Sequence, residues 1–571
     1  NEIYVTLDDP LNKEEVLDHF NKTFDFAKSQ MGSAQEIALR LTPLKEVYYT
    51  HDTTFDFNPK GHRETNYVLL GIAFLILFIA GINFTNLTTS LIPLRLKTIN
   101  THRVLGCSIY KLQAISLIES IVICLISYIL ALFIVNDLSY TPIANWVDAD
   151  IRLSQYKGLI LLTALIAILT GCLAGLYPAI RSTSYAPALV LKGSFGLSPK
   201  GKKVRVALIG FQYTVSIALI IVTLFMGLQN HFMTSSEQLG FNKDQVAIVN
   251  LTPEIYAKHK PQYIQKLKDY PGIEDVAFSV YELSKEDDMI DLEYARHEDK
   301  DVFFKVFYAS ENFLSVMDIQ VEEGRDFTRE DLNKAQSDYI INPAAERDFH
   351  LHPGDRFNDR TVLGVSKDFR FNSCRIASSP FVFALNNDIP NPKLVSYIRF
   401  NSKTNLQEAV AHVRETLKEI DPTFPFEISF YNTILNNLYQ KEQTLGKLIS
   451  LFGIMAILIS IVGVFGLVLF ETQYRRKEIG IRKINGATTG QILLMFNKTY
   501  IRIVSVCFII SIPIAWMGTQ QWLENFAYKT PLHLWVFIVA FLIILSVTIG
   551  TVTFRNWQAA NENPVNSVKS E

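Results

Sequence analysis

The chain has 571 residues, enough for three or four folding units at roughly 100 to 200 residues each. Only 19% of its residues are charged and 49% are hydrophobic, with a mean hydropathy of +0.17, and the apolar residues gather in long blocks. That excludes a purely soluble enzyme, a disordered chain and a fibrous one. The net charge of −2 gives no reason to expect nucleic-acid binding, and the five cysteines show neither a disulfide framework nor a zinc spacing.

Residues 1–66 are polar and helix-like at the start, with no initiating Met and no basic-then-apolar signal. Seven later stretches reach the roughly 20 apolar residues that a membrane crossing needs: 67–91, 112–135, 158–180, 204–228, 445–470, 500–517 and 534–554. The sixth is the weakest, because Pro513 would kink it unless neighbouring groups satisfy the freed carbonyl. The loop after the first stretch carries Arg95, Lys97, Arg103 and Lys111 with no acid; the loop after the third is equally basic. The loop after the fifth, with Arg475, Arg476, Lys477, Arg482, Lys483 and Lys498 against Glu471 and Glu478, agrees. Basic loops face the cytoplasm, so the block from about 229 to 446 lies outside.

That outer block has a soluble composition. Alternating or β-rich runs at 246–251, 276–281, 301–308, 361–365, 394–400 and 426–430 predict strands, interleaved with helical patterns at 261–269, 406–420 and 433–447. The fold class expected is an α-helical integral membrane protein with a mixed α/β extracytoplasmic domain. No breaker separates 433–447 from the fifth span, which predicts one continuous rod from outer domain into membrane.

The chain also repeats itself at a spacing of about 380 residues. RLKTINTHRVLGCSIYKL from Arg95 aligns without gaps on RRKEIGIRKINGATTGQI from Arg475, matching Arg95 with Arg475, Lys97 with Lys477, Ile99 with Ile479 and Gly106 with Gly486. A second echo pairs YAPALVLK, ending at Lys192, with ENPVNSVK, ending at Lys569. Completing the first unit by analogy requires one more span and most of an outer domain ahead of Asn1, an expected total of eight spans.

Several motifs invite a chemical reading and have a plainer one. GLSPKGKK at 196–203 imitates a nucleotide loop but has Lys203 where Mg²⁺ needs a hydroxyl, so a basic linker facing lipid headgroups is favoured. His350 and His352 could share a strand face and hold a metal, but no third ligand falls at a diagnostic spacing. Glu286, Asp287, Asp288 and Asp291 lack the glycine and terminal Glu of a calcium loop, and Cys374 has no positioned His and Asn. The spans hold almost no ionisable residues, which argues against a proton relay. No catalytic residue, cofactor or metal site is expected. In the loop at 475–486, Glu478 and Arg482 stand i, i+4 on a short helix and Gly480 allows close backbone approach. Ordinary positive-inside charge would explain the Lys and Arg there, though not EIGI or the repeated spacing.

RRKEIGIRKINGAT at 475–488 strongly resembles the cytoplasmic loop of FtsX-like, MacB-type ABC transporter permeases. LIGFQYTVSIALII at the fourth span, VFYASENFLSVMDIQVEEGRDF and VLGVSKDFRF in the outer block, and the fifth span are similar to the same family in the same order. The two-unit layout resembles the duplicated eight-span permeases of Bacteroidetes. On this resemblance the chain divides into a remnant of a first extracytoplasmic domain (1–66), a first three-span unit (67–191), a cytoplasmic linker (192–203), a span (204–228), a MacB-type outer domain (229–444) and a second three-span unit with a tail (445–571).

The resemblance implies a non-enzymatic permease subunit of the inner membrane. It would pass the energy of ATP hydrolysis by a separate ATPase dimer to the outer domain. Partner contact would fall on Arg475, Lys477, Glu478, Gly480, Arg482, Lys483 and Gly486, and on Arg95, Lys97, Arg103 and Gly106 in the first loop. There Thr98 and Asn100 replace the family's Glu and Gly, so that loop is expected to supply charge without the Glu–Arg pair. Cargo of peptide, antibiotic or lipoprotein type is implied; the alternative is a regulator of an outer partner such as a cell-wall hydrolase. Whether one duplicated chain or a homodimer serves the ATPase dimer is left open by the sequence.

Overall fold

A computed structural model describes residues 5–7, 12–23, 41–49, 63–141, 144, 152–184, 199–284, 291–298, 300–334, 336–385 and 394–561. The chain forms two compact units, 1–73 and 74–571. The first holds α1 (Lys13–Thr23), α2 (Leu44–Val47) and the start of α3 (Arg63–Ser90), with the Arg63 guanidinium 4.8 Å from the Tyr49 ring centroid.

Seven helices among the described residues are long and apolar enough to span a membrane. They are α3, α5 (Ile109–Leu138), α6 (Lys157–Thr183), α7 (Pro199–Thr234), and three helices after the outer domain, Gln440–Tyr474, Thr489–Leu523 and Leu534–Asn561. All seven expected spans are present, and the chain is a multi-pass membrane protein. Each helix outruns its apolar stretch because the polar ends continue as helix into the interfacial layer.

α5 and α6 approach closely through small residues, as helices must where no hydrophobic effect drives them together in lipid. A Cβ added at Gly175 would fall 2.6 Å from the Ser120 hydroxyl, and one at Gly171 would lie 3.0 Å from the Ile121 backbone. α6 carries Pro178 in its interior, which deprives the Ala174 carbonyl of its amide partner. The Thr85 hydroxyl of α3 donates to that carbonyl at 2.9 Å. The second bundle buries polar pairs of its own: Ser216 with Ser460 at 2.9 Å, and Thr548 with Tyr213 at 3.0 Å.

After α7 comes the short α8 (Ser236–Leu239), and then a mixed sheet: β1 (Val246–Leu251), β2 (Ile273–Ser279), β3 (Asp291–His297), β4 (Lys300–Ala309), β5 (Val321–Gly324), β6 (Tyr339–Ile341), β7 (Arg356–Phe357), β8 (Arg360–Ser366), β9 (Phe381–Leu385), β10 (Leu394–Phe400) and β11 (Ile428–Phe430). The order is β11-β1-β10-β2-β4-β9-β6-β8-β5, with β3 flanking β4 and β7 flanking β8. Most neighbours are antiparallel; β4–β9 and β6–β8 are parallel. Helices interleave with the strands: α9 (Lys260–Lys268), α10 (Phe313–Met317), α11 (Pro343–Phe349) and α12 (Leu406–Ile420).

β1 is nearly all apolar because both its faces are covered. Ala247, Val249 and Leu251 join a core with Tyr263, Leu267, Ala409, Val413 and Leu417, whereas Val246 and Ile248 face an aromatic core around Phe307, Phe313, Phe383 and Tyr397. The four-residue spacing of Ala409, Val413 and Leu417 is what lets α12 lay one stripe on the sheet.

The expected rod is interrupted at a single residue. α13 (Tyr431–Leu438) ends before Tyr439, which sits at φ −104, ψ 14, and α14 (Gln440–Tyr474) begins anew. The helical bonds through this residue remain, from the Tyr439 N–H to the Leu435 carbonyl at 3.2 Å and from the Gln443 N–H to the Tyr439 carbonyl at 2.9 Å. Its side chain is buried: Cys374 donates its backbone N–H to the Tyr439 hydroxyl at 3.3 Å, and the Cys374 sulfur lies 3.2 Å from it. One turn on, Arg375 donates to Glu442 at 2.7 Å. The Tyr528 backbone N–H donates to the Cys374 carbonyl at 3.1 Å, and the Arg370 guanidinium lies 4.1 Å from the Tyr528 ring centroid. Residues 370–378 thus clamp the sheet domain onto the outer ends of the helices.

Candidate partner-contact loops

The second basic loop folds as α15 (Arg476–Ile484), joined through Gly486 to α16 (Thr489–Leu523) and followed later by α17 (Leu534–Asn561). Glu478 and Arg482 meet at 2.7 Å, as their i, i+4 spacing predicts. Their side chains are 42% and 49% exposed, so the pair adds little stability and presents a charged face.

The other cations of this loop divide. Arg475 turns inward to Glu471 at 3.1 Å and lies 5.7 Å from the Phe496 ring centroid; Glu471 also accepts from the Tyr500 hydroxyl at 3.3 Å. Lys483 is half-buried, and the Lys477 side chain lies outside the described ones. Gly480 is buried, so any close approach it allows is made within the chain.

The first loop helix, α4 (Ile92–Val104), repeats this geometry at its end. Gly106 and Gly486 both have positive φ, +91 and +86, with open space where a Cβ would stand. The backbone N–H of Gly106 donates to the Arg103 carbonyl and that of Gly486 to the Lys483 carbonyl, each at 3.0 Å. Cys107 to His102 and Ala487 to Arg482 match likewise at 2.9 Å. Ser108 then caps α5 and Thr488 caps α16, the latter in a reciprocal capping box with Gln491.

The flanking electrostatics differ between the two copies. Arg95 makes a bidentate pair with Glu119 of α5 at 2.8 and 2.9 Å, and Arg103 donates to the Thr183 carbonyl at 3.1 Å. The acid that Arg95 meets comes from the next helix; within the loop, Thr98 and His102 stand where the second copy has Glu478 and Arg482. Asn100 is buried like Gly480, and donates to the Leu96 carbonyl at 2.9 Å. The Lys97 side chain lies outside the described ones.

Charge and glycine spacing missed the apolar part of these tips. Ile481 and Ile484 are exposed beside Arg482, and Val104, Leu105 and Tyr110 are exposed at the corresponding turn of the first loop. Their signal was present in IRKI and RVLG, but it reads as ordinary helix stuffing until the fold shows them uncovered among the described residues.

The plainer motifs resolve simply. His350 takes a left-handed conformation at the end of α11, and His352 faces Glu346 at 3.6 Å. Glu323, Glu346 and His352 place ligand atoms within 4.8 Å of one another, with Glu323 and His352 exposed. Cys374 is buried, which pushes its thiol up and away from reactivity. Glu286, Asp287 and Asp288, the echo ending at Lys192 and Lys569, and residues 196–198 lie outside the described residues.

Residues 70–187 and again 450–564 match the FtsX-like permease C-terminal family, each match containing one loop helix and its three flanking spans. Both membrane halves of the chain thus match that family. The duplicated match coincides with the internal repeat, so the two loop tips are equivalent positions of one domain used twice. Similar relatives include the macrolide export ATP-binding/permease protein MacB of Aggregatibacter actinomycetemcomitans, 25% identical over 35% of this chain and 32% of that protein. MacB of Neisseria gonorrhoeae is 25% identical over 37% of this chain and 34% of its own. The matched part of the chain spans about a third of the length of these curated relatives.

Solved structures similar to it include the periplasmic region of MacB from Actinobacillus actinomycetemcomitans (14% identity, 35% of this chain, 94% of that one, TM-score 0.26). Another is the extracellular domain of the transporter YknZ from Gram-positive bacteria (15% identity, 32% and 99%, TM-score 0.25). The sheet domain of the chain is extracytoplasmic, on the side opposite the basic loops.

Proposed function

We propose that this permease couples ATP hydrolysis by a separate ATPase dimer to movement of its outer sheet domain, so that cargo is moved or released outside the membrane. The observation that carries the reading is the pair of loop helices, ended alike at Gly106 and Gly486, with the Glu478–Arg482 pair and Ile481 and Ile484 uncovered on the cytoplasmic side. A charged pair beside two exposed isoleucines is the composition of a protein-contact tip: the apolar side chains gain on burial and the charges fix register. Arg103 and Arg475 act from behind, holding the tips on their spans, and Arg95 ties the first loop to α5 through an exposed pair with Glu119. The first loop offers Val104, Leu105 and Tyr110 for the same purpose. Cargo of peptide, antibiotic or lipoprotein type fits this work, and the macrolide export named for the relatives is one instance.

The test is ATPase activity of the reconstituted complex. Ile481→Ser with Ile484→Ser should abolish association or coupled hydrolysis, and Glu478→Arg with Arg482→Glu should weaken it by roughly ten-fold or more, the range for truncating contacts at an interface centre. Full coupling in both variants would remove this loop from the contact.

A further inference from the structure

Two cations on the lipid-facing side of α16 are not used by the loops. Lys498 and Arg502 are both exposed, and their four-residue spacing puts them on one helix face in a stripe with exposed Leu494, Val506 and Ile509. Among the described residues neither makes a hydrogen bond or an ion pair. The nearby acids are committed elsewhere, Glu471 to Arg475 and Tyr500, and Glu478 to Arg482.

Their depth follows from the polar layer beside them. Asn497 donates to Thr553 of α17 at 2.8 Å, and Tyr500 to Glu471 of α14 at 3.3 Å, which marks the inner edge of the apolar bundle. Lys498 lies at that edge and Arg502 about 5 to 6 Å deeper, one helical turn toward the bilayer interior. Side chains on a helix tilt toward its N-terminus, and the N-terminus of α16 is its cytoplasmic end, so both long side chains reach back toward the headgroups while their stems stay in the apolar layer. An unpaired cation below the headgroup level is costly.

We propose that Lys498 and Arg502 bind the headgroup phosphate of an anionic phospholipid in the cytoplasmic leaflet, with its acyl chains lying along Val506 and Ile509. A phosphate held by a Lys and an Arg one turn apart satisfies both cations with charge-assisted hydrogen bonds, Arg supplying the forked donor. The repeat shows that a plain membrane crossing does not require the pair. The aligned positions of α5 are Ile118 and Val122, both exposed to lipid, so the feature belongs to the second unit alone. A soluble partner is the wrong ligand for Arg502, whose Cα stands above the polar layer among lipid-facing apolar residues.

The full chain in zwitterionic micelles, given equal amounts of phosphatidylglycerol and phosphatidylcholine, tests this by native mass spectrometry. We expect selective phosphatidylglycerol adducts, reduced roughly ten-fold or more in Lys498→Gln with Arg502→Gln. They should be retained in Lys498→Arg with Arg502→Lys and unaffected by Lys111→Gln. Unchanged melting of the Gln variant in lipid-free micelles separates loss of the site from loss of the fold. Equal adducts in wild type and the Gln variant, or no preference over phosphatidylcholine, would overturn the site. Competition by inorganic phosphate would assign it to a free anion, and loss of ATPase association by the Gln variant in lipid-free micelles would assign it to protein; either also overturns the proposal.

Discussion

Thr85 on α3 donates its hydroxyl to the Ala174 carbonyl of α6, the acceptor that Pro178 leaves without its helical amide. One side chain thus repairs the backbone defect of another helix. Thr85→Val should cost about 0.6 to 1.7 kcal/mol in thermal unfolding of the micellar protein. In a Pro178→Ala background the carbonyl regains its own amide and the cost should shrink. Equal costs in both backgrounds would show that the hydroxyl serves only the Gly81 carbonyl of its own helix.

The α5–α6 seam has no room to grow. Gly175→Leu would drive its side chain into Ser120, and overpacking of this kind costs about 1 to 3 kcal/mol. Cysteine crosslinking between the two helices should fall with it, while Gly158→Ala, with open space around it, should change neither readout.

In the outer domain Asp331 is almost fully buried, takes a bidentate pair from Arg325 at 2.7 and 2.9 Å, and caps its turn by accepting from the Thr328 backbone N–H at 2.9 Å. The Arg325 guanidinium holds its carboxyl well below the usual carboxylate range. A carboxyl depressed on folding contributes stability that is complete above its unfolded pKa of about 4 and is lost as pH falls toward the folded value. Acid unfolding of the sheet domain should therefore begin below about pH 4. Asp331→Asn should destabilise at neutral pH by roughly 2 kcal/mol or more and flatten that acid dependence. An unchanged acid limb in the variant would assign the loss to other carboxyls.

For the loops, exposure of the Glu478–Arg482 pair predicts a clean separation of stability from coupling. Glu478→Thr should change the melting temperature hardly at all, because such a pair adds only about 0.3 to 0.5 kcal/mol, and should still impair coupled ATPase activity. Gly480→Asn is expected to disturb both, since that position is buried. In the first loop Thr98, which is exposed, should accept Glu without loss. A melting change with intact coupling in Glu478→Thr would reverse the assignment of the pair.

Orientation is checked by labelling a cysteine-free background. A cysteine at Lys300 should react with an impermeant reagent in intact spheroplasts, and one at Asn485 only after lysis, both sites being exposed. The opposite pattern would invert the molecule.

The sequence made the spans, the two loop helices and their equivalence legible because each rests on local signals: apolar length, i, i+4 charge and a glycine with positive φ. β1, β10 and α12 were also readable to the residue, since each is a single run with one periodicity. The short strands β5, β6, β7 and β9 went unread; they hold between two and five residues, and apart from the local β7–β8 hairpin their pairing is set by partners far along the chain. The pairing of Arg95 was hidden for the same reason, because Glu119 belongs to another element. The irregular dihedrals at Tyr439 lay beyond reach, since YQKEQ contains no breaker and the Cys374 contacts that hold the ring come from far along the chain.

That break alters how motion would travel. α14 has 35 residues and is about 52 Å long, so a tilt of about 5° pivoting at its outer end carries its cytoplasmic end about 4 to 5 Å. Were α13 an uninterrupted extension, the same tilt would have to shear it against β1. On the proposed coupling, the single irregular residue Tyr439 is where such a tilt would be taken up, with the Arg375–Glu442 pair and the Cys374–Tyr528 bond beside it. The sheet domain would then be turned in part through these side contacts, and the small clamp at residues 370–378 would set how stiff the linkage is.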